Sequence, residues 1–114
     1  MHDKEIYKVF RDLGVPAHFK GYVCIRECVN IVLEHPEYVA RFVKDVYGTA
    51  ATRLGCTASS VERSIRYAVE FVFQNTPIEV LERYFMYEIC DGSGKVTNKC
   101  FIVTIAEYIK MEVK

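Results

Sequence analysis

The chain has 114 residues, of which 51% are hydrophobic and 26% charged, with 15 basic side chains balanced by 15 acidic ones. That length supports one core and not two, and that composition excludes a disordered chain. A net charge of zero excludes a strongly basic protein that coats nucleic acid indiscriminately, but not one that reads a sequence with a locally charged surface.

The start, Met1-His-Asp-Lys-Glu5, lacks an apolar signal core. No stretch approaches the roughly 20 apolar residues of a membrane span, so the chain is expected to be cytoplasmic and free of membranes. Helices then follow one another. Ile6, Val9, Phe10 and Leu13 form a helical stripe that stops at Gly14, where Val15-Pro16 prevents continuation. A second helix is predicted from about Lys20 to His35-Pro36, through Ile25, Cys28, Val29, Val32 and Leu33. A third runs from Glu37 to Tyr47 with Val39, Phe42, Val43 and Val46 inward, ending at Gly48.

From Thr49 to about Phe73 the pattern is two helices broken at Gly55, which predicts a helix-turn-helix. Thr57, Ser59 and Ser60 crowd the second start, and Ser59 with Glu62 fits a capping box. Val61, Ile65, Ala68, Val69 and Val72 make an apolar stripe, leaving Ser59, Glu62, Arg63, Arg66 and Glu70 on the opposite side. After a break at Gln74–Pro77, with Thr76 as cap, Ile78, Leu81, Tyr84 and Phe85 form a short helix. Asp91–Lys95 is a turn-rich loop, and Thr97 or Asn98 caps a last helix carrying Ile102, Ile105, Ala106, Ile109 and Val113. The expected fold is therefore all-α, a single compact domain of about six helices spanning residues 1–114.

The polar face after Gly55 has specific chemistry available to it. An arginine fork can bond both O6 and N7 of guanine, a glutamate can accept from the N4 amine of cytosine, and a helix fits the major groove. A merely solvated charged face has the same composition; the short helix and turn in front of it favour a reader. Charge is distributed to match. Residues 41–66 hold five basic side chains (Arg41, Lys44, Arg53, Arg63, Arg66) against two acidic, a balance of +3. Residues 67–91 hold five acidic side chains (Glu70, Glu79, Glu82, Glu88, Asp91) against one basic, a balance of −4.

Other chemistry finds little support. Five cysteines with no C-x-x-C pair indicate reduced, mostly buried thiols, neither a disulfide framework nor a zinc ribbon. Cys24 and Cys28 sit one helical turn apart, but nothing of matching spacing completes a metal site. Asp91-Gly-Ser-Gly-Lys95 lacks the spacing of a phosphate-binding loop, and His2, His18 and His35 flank no nucleophile motif. No enzyme, cofactor or metal is expected.

Leu13-Gly-Val-Pro-Ala-His-Phe-Lys-Gly-Tyr22, then Thr57-Ala-Ser-Ser-Val-Glu-Arg-Ser-Ile-Arg-Tyr-Ala-Val-Glu70, then Thr97-Asn98 and Phe101-Ile102, carry a resemblance. They closely resemble the C-terminal effector domain of the response regulator that commits endospore-forming bacteria to sporulation, collinearly from about residue 4 onward. The resemblance implies a helical domain that binds a short double-stranded DNA box with a central C-G step, often as tandem copies arranged head to tail. It places base reading on Glu62, Arg63 and Arg66. It implies phosphate contacts from Thr57 and Ser59 at the helix start, where free N–H groups and the dipole favour anions. Ser60, Lys95, Lys99 and the segment His18–Gly21 with Lys20 are further expected phosphate contacts, His18 alternatively capping or packing within the fold.

Three departures stand out against that family. Ser60 replaces a common arginine, Val96 a common proline before Thr97, and Gly48 another proline. The family's regulators also carry an N-terminal phosphoacceptor receiver domain, for which these 114 residues leave no room; the chain is either an excised domain or a stand-alone relative. Two functions are thus expected in order: a transcription regulator that binds promoter DNA and meets RNA polymerase through the acidic face around Glu79 and Glu82, or an interaction module that titrates a full-length regulator. Retention of Glu62, Arg63 and Arg66 together speaks for the first.

Overall fold

Two glycines with left-handed backbones, Gly14 (φ +74°) and Gly55 (φ +69°), set the principal corners of the chain. In a computed structural model that describes residues 2–90 and 96–112, with backbone alone for 86–90, helix α1 (Asp3–Leu13) closes at the first of them. The Gly14 amide donates to the Arg11 carbonyl (3.2 Å) and the Val15 amide to that of Phe10 (3.0 Å), which satisfies carbonyls the helix leaves free. Helix α3 (Gly48–Leu54) closes the same way, Gly55 N–H to Thr52 (3.4 Å) and Cys56 N–H to Ala51 (3.0 Å). Nothing lies within 4 Å of a Cβ placed on Gly55, so conformation alone reserves that site for glycine. Gly55→Ala is expected to cost about 1–2 kcal/mol from the left-handed backbone, and Gly55→Asn less; urea denaturation of the three proteins checks the order.

The remaining helices are α2 (Lys20–Glu34), α4 (Ala58–Asn75), α5 (Ile78–Cys90) and α6 (Asn98–Glu112), giving an all-α bundle of six α-helices among the described residues. The expected loop Asp91–Lys95, with its lysine, and Val113 lie outside those residues. α2 is the central element. Cys24, Ile25, Cys28, Val29 and Ile31 have no exposed surface, and the helix packs against both α4 and α6. Burying an aliphatic side chain this fully contributes about 1.5–3 kcal/mol. The α4 stripe is as predicted, Val61, Ile65, Ala68, Val69 and Val72 all being buried. Phe85 stacks on Phe101 at 5.1 Å, and Phe73 closes the aromatic cluster. Burial pushes the Cys24 and Cys28 thiols up, keeping both protonated and consistent with reduced core thiols.

The segment expected to be one α-helix from Glu37 to Tyr47 is instead a 3₁₀ helix (Pro36–Arg41) followed by a π turn (Phe42–Tyr47). Arg41 (φ −127°, ψ 64°) breaks the two apart. In the π turn hydrogen bonds span five residues, with the Gly48 amide reaching the Val43 carbonyl, so side chains no longer follow α-helical spacing. Phe42, Val46 and Tyr47 are buried, whereas Val43, expected inward, is 66% exposed. Gly48 has right-handed helical angles and continues into α3 where a stop was expected. Thr76 also differs from expectation: its hydroxyl donates to the Leu13 carbonyl (2.6 Å), tying the end of α4 to that of α1 where a cap for α5 was expected. Ile78, expected on the inward stripe of α5, is half exposed.

Candidate nucleic-acid interface

α3, a three-residue turn and α4 form the predicted helix-turn-helix, with α4 started by Thr57. The Thr57 backbone is extended (φ −100°, ψ 155°) and its hydroxyl oxygen accepts from the Ser60 amide at 3.1 Å. This replaces the expected capping box of Ser59 with Glu62: Ser59 is already the second helical residue, and Glu62 faces Arg66. The turn closing on Cys56 leaves Thr57 as the residue that enters the helix from extended backbone, so the cap falls there.

The first turn of α4 is joined to α2 by the Lys20 ammonium, which donates to the Ser60 hydroxyl at 2.7 Å. A cation is thereby held at a helix start whose free N–H groups already favour anions. Gly21 makes the approach possible. A Cβ there would lie 2.4 Å from the Ser64 carbonyl oxygen and 2.7 Å from the Ala68 Cβ, so the two helices touch without an intervening side chain. A groove of about 520 Å³ follows this contact, lined by Phe19, Lys20, Arg63, Ser64, Arg66 and Tyr67 among others. His18 does not cap α2, which has no side-chain cap; it is exposed and its ring packs edge-on against Phe19 (5.1 Å).

Arg63 is exposed, and Arg66 forms an ion pair with Glu62 one turn earlier. An exposed helical pair of this spacing is worth about 0.3–0.5 kcal/mol, less than the roughly 1–3 kcal/mol of a bidentate base contact, so it yields when a base edge competes. On the other flank a second groove, about 590 Å³, runs between α4, the π turn and the start of α6; Phe42, Val69, Phe73 and Val96 line it together with Glu62 and Arg66. Lys99 stands at this groove with its ammonium 6.0 Å from the Phe42 ring centre. Thr97 caps α6 by accepting from the Cys100 amide (3.1 Å), while Asn98, the alternative cap, donates to the Glu62 carbonyl (3.1 Å).

The structure therefore gathers Lys20, Thr57, Ser60, Arg63, Arg66 and Glu62 along one helix and its start, flanked by Lys99. It subtracts one charge from the tally by sequence. Arg53 is bridged to Glu27 (3.4 Å) and Glu34 (3.1 Å) of α2, so the excess of cations rests on fewer side chains. It adds Phe19 and Tyr67, whose rings lie 5.3 Å apart with Tyr67 63% exposed. Tyr67 follows Arg63 by one helical turn, a spacing that places it on the polar face; composition alone marked it as neither core nor reader.

A short helix, a tight turn and a capped second helix with an exposed polar face make this a helix-turn-helix domain, the architecture that many DNA-binding proteins use. The family model described as Sporulation initiation factor Spo0A C terminal matches residues 6–109, and the chain belongs to that family. The family is that of a DNA-binding effector domain of a response regulator, not of an enzyme. No helix among the described residues is long and apolar enough to cross a membrane.

Proposed function

We propose that this chain regulates transcription by reading a short double-stranded DNA box through α4 laid in the major groove. Arg63 and Arg66 bond guanines through their paired donors, and Glu62 accepts from a cytosine amine. Thr57, Ser59, Ser60 and Lys20 hold the phosphate strand at the helix start, with His18, Lys95 and Lys99 as flanking phosphate contacts. The observation that carries this reading is the 2.7 Å bond from Lys20 to Ser60, which sets a cation beside the free N–H groups of the same helix that bears Glu62, Arg63 and Arg66. Adjacent boxes would be occupied by tandem copies, and RNA polymerase would meet the acidic residues Glu79 and Glu82 of α5.

Fluorescence anisotropy with the family's box and with a scrambled duplex, at matched salt, tests the reading. Specific binders prefer their site by at least roughly a thousandfold, and affinity for both duplexes falls steeply with salt. Equal binding to the two duplexes would leave only a fold retained for protein contacts.

A further inference from the structure

The start of α6 touches the reading helix at one of the residues assigned to base contact. The Asn98 carboxamide donates to the Glu62 carbonyl at 3.1 Å in a partly buried setting. Its cap function is already supplied by Thr97, so this side chain is free for the cross-helix bond. Behind it the hydroxyl of buried Tyr47, in the π turn, lies close enough to the same carboxamide to interact with it. Burial pushes the Tyr47 phenol up to about 12, so the hydroxyl stays protonated over the working range. Polar groups of the π turn and of α6 are thus brought to the backbone of α4 at Glu62, the directed bond being that from Asn98.

The attachment point matters. The buried apolar stripe of α4 fixes which side of the helix faces the bundle, and a directional bond at its edge can set the remaining few degrees of rotation, on which base-edge geometry depends. A hydrogen bond to the backbone carbonyl on the edge of the polar face supplies direction. We propose that Asn98 is a positioning residue for base reading: by holding the Glu62 carbonyl it sets the rotation of α4, and so the angle at which Glu62 and Arg66 meet base edges. This rests on α4 being the recognition helix. The phosphate contacts at the helix start lie a turn away and are held separately by Lys20 and Ser60. Loss of the bond therefore lowers discrimination between sequences more than it lowers attraction to DNA as such.

The test compares wild type with Asn98→Asp, which keeps the shape but has no donor, with Asn98→Ala, and with Tyr47→Phe, which keeps the ring. Anisotropy is measured on the family's box, on duplexes altered at single base pairs, and on a scrambled duplex over a salt series, with thermal melts as a folding check. Asn98→Asp and Asn98→Ala are expected to lower the box-to-scrambled affinity ratio by roughly tenfold, with the loss concentrated at the base pairs read by Glu62 and Arg66. For Asn98→Ala, affinity for scrambled DNA and the salt slope stay within about twofold, whereas the added negative charge of Asn98→Asp also lowers affinity for every duplex, so the ratio is read against the scrambled duplex. Tyr47→Phe gives a smaller loss of the same pattern, and carries the test if an Asn98 variant fails to melt cooperatively. Folded variants that keep the wild-type ratio, or that lose affinity for every duplex equally, overturn the proposal. A wild type with no preference for the box overturns the underlying reading instead, and the positioning role with it.

Discussion

Gly21→Ala is expected to destabilise the domain by about 3 kcal/mol, at the top of the range for overpacked sites, and to lower its melting temperature by roughly 10 °C. In an exposed helix the same change would stabilise by about 0.5–1 kcal/mol. The sign reverses here because the added methyl would sit 2.4 Å from the Ser64 carbonyl oxygen and 2.7 Å from the Ala68 Cβ. The first of these is backbone of α4 and cannot rotate away. Relief requires α2 to move off α4, which would withdraw Lys20 from Ser60 and loosen the interface that holds the reading helix. Affinity for all duplexes should therefore fall along with stability. Calorimetry and a single anisotropy titration measure both, and an unchanged or raised melting temperature would mean that α2 and α4 leave room for a methyl group between them.

Arg63→Ala is expected to cost roughly 1–3 kcal/mol on the cognate box, up to about a hundredfold in affinity, and to relax preference at one base pair. Arg63 is exposed and contributes nothing to the core, so the melting temperature should change little. Lys20→Ala offers the contrast. Because Lys20 meets the start of α4 through Ser60, its loss should weaken binding to all sequences alike and reduce the salt slope by about one. If Arg63→Ala left box preference intact, the base-reading role would belong to another residue of the polar face.

Much of the fold was legible because periodicity and punctuation agreed. Ile6, Val9, Phe10 and Leu13 fall on one side of a helix, and Gly14 offers the left-handed corner that ends it. The same agreement holds for α4, whose five stripe residues are all buried. Where local signals are ambiguous, contacts outside the segment decide. Three hydroxyl residues crowd the start of α4, and the Ser-x-x-Glu pattern favours Ser59; the turn that ends on Cys56 gives the role to Thr57. From Glu37 to Tyr47 the apolar spacing suited an α-helix, yet the chain adopts 3₁₀ and π turns that bury Phe42, Val46 and Tyr47 and leave Val43 outside.

The site divides along the same line. Sequence by itself determined the class of fold, the helix-turn-helix, and the polar face bearing Glu62, Arg63 and Arg66, because all three depend on residues within a turn or two of one another. Tertiary structure alone decided which distant groups stand beside that face. Lys20 reaches Ser60 across 40 positions and Asn98 reaches Glu62 across 36, while Arg53 is withdrawn into ion pairs with Glu27 and Glu34. Such contacts follow from how α2 and α6 cross α4, which the close approach at Gly21 permits and the shared core enforces. Helical period records which side of a helix is buried; it carries no information about the neighbour that buries it.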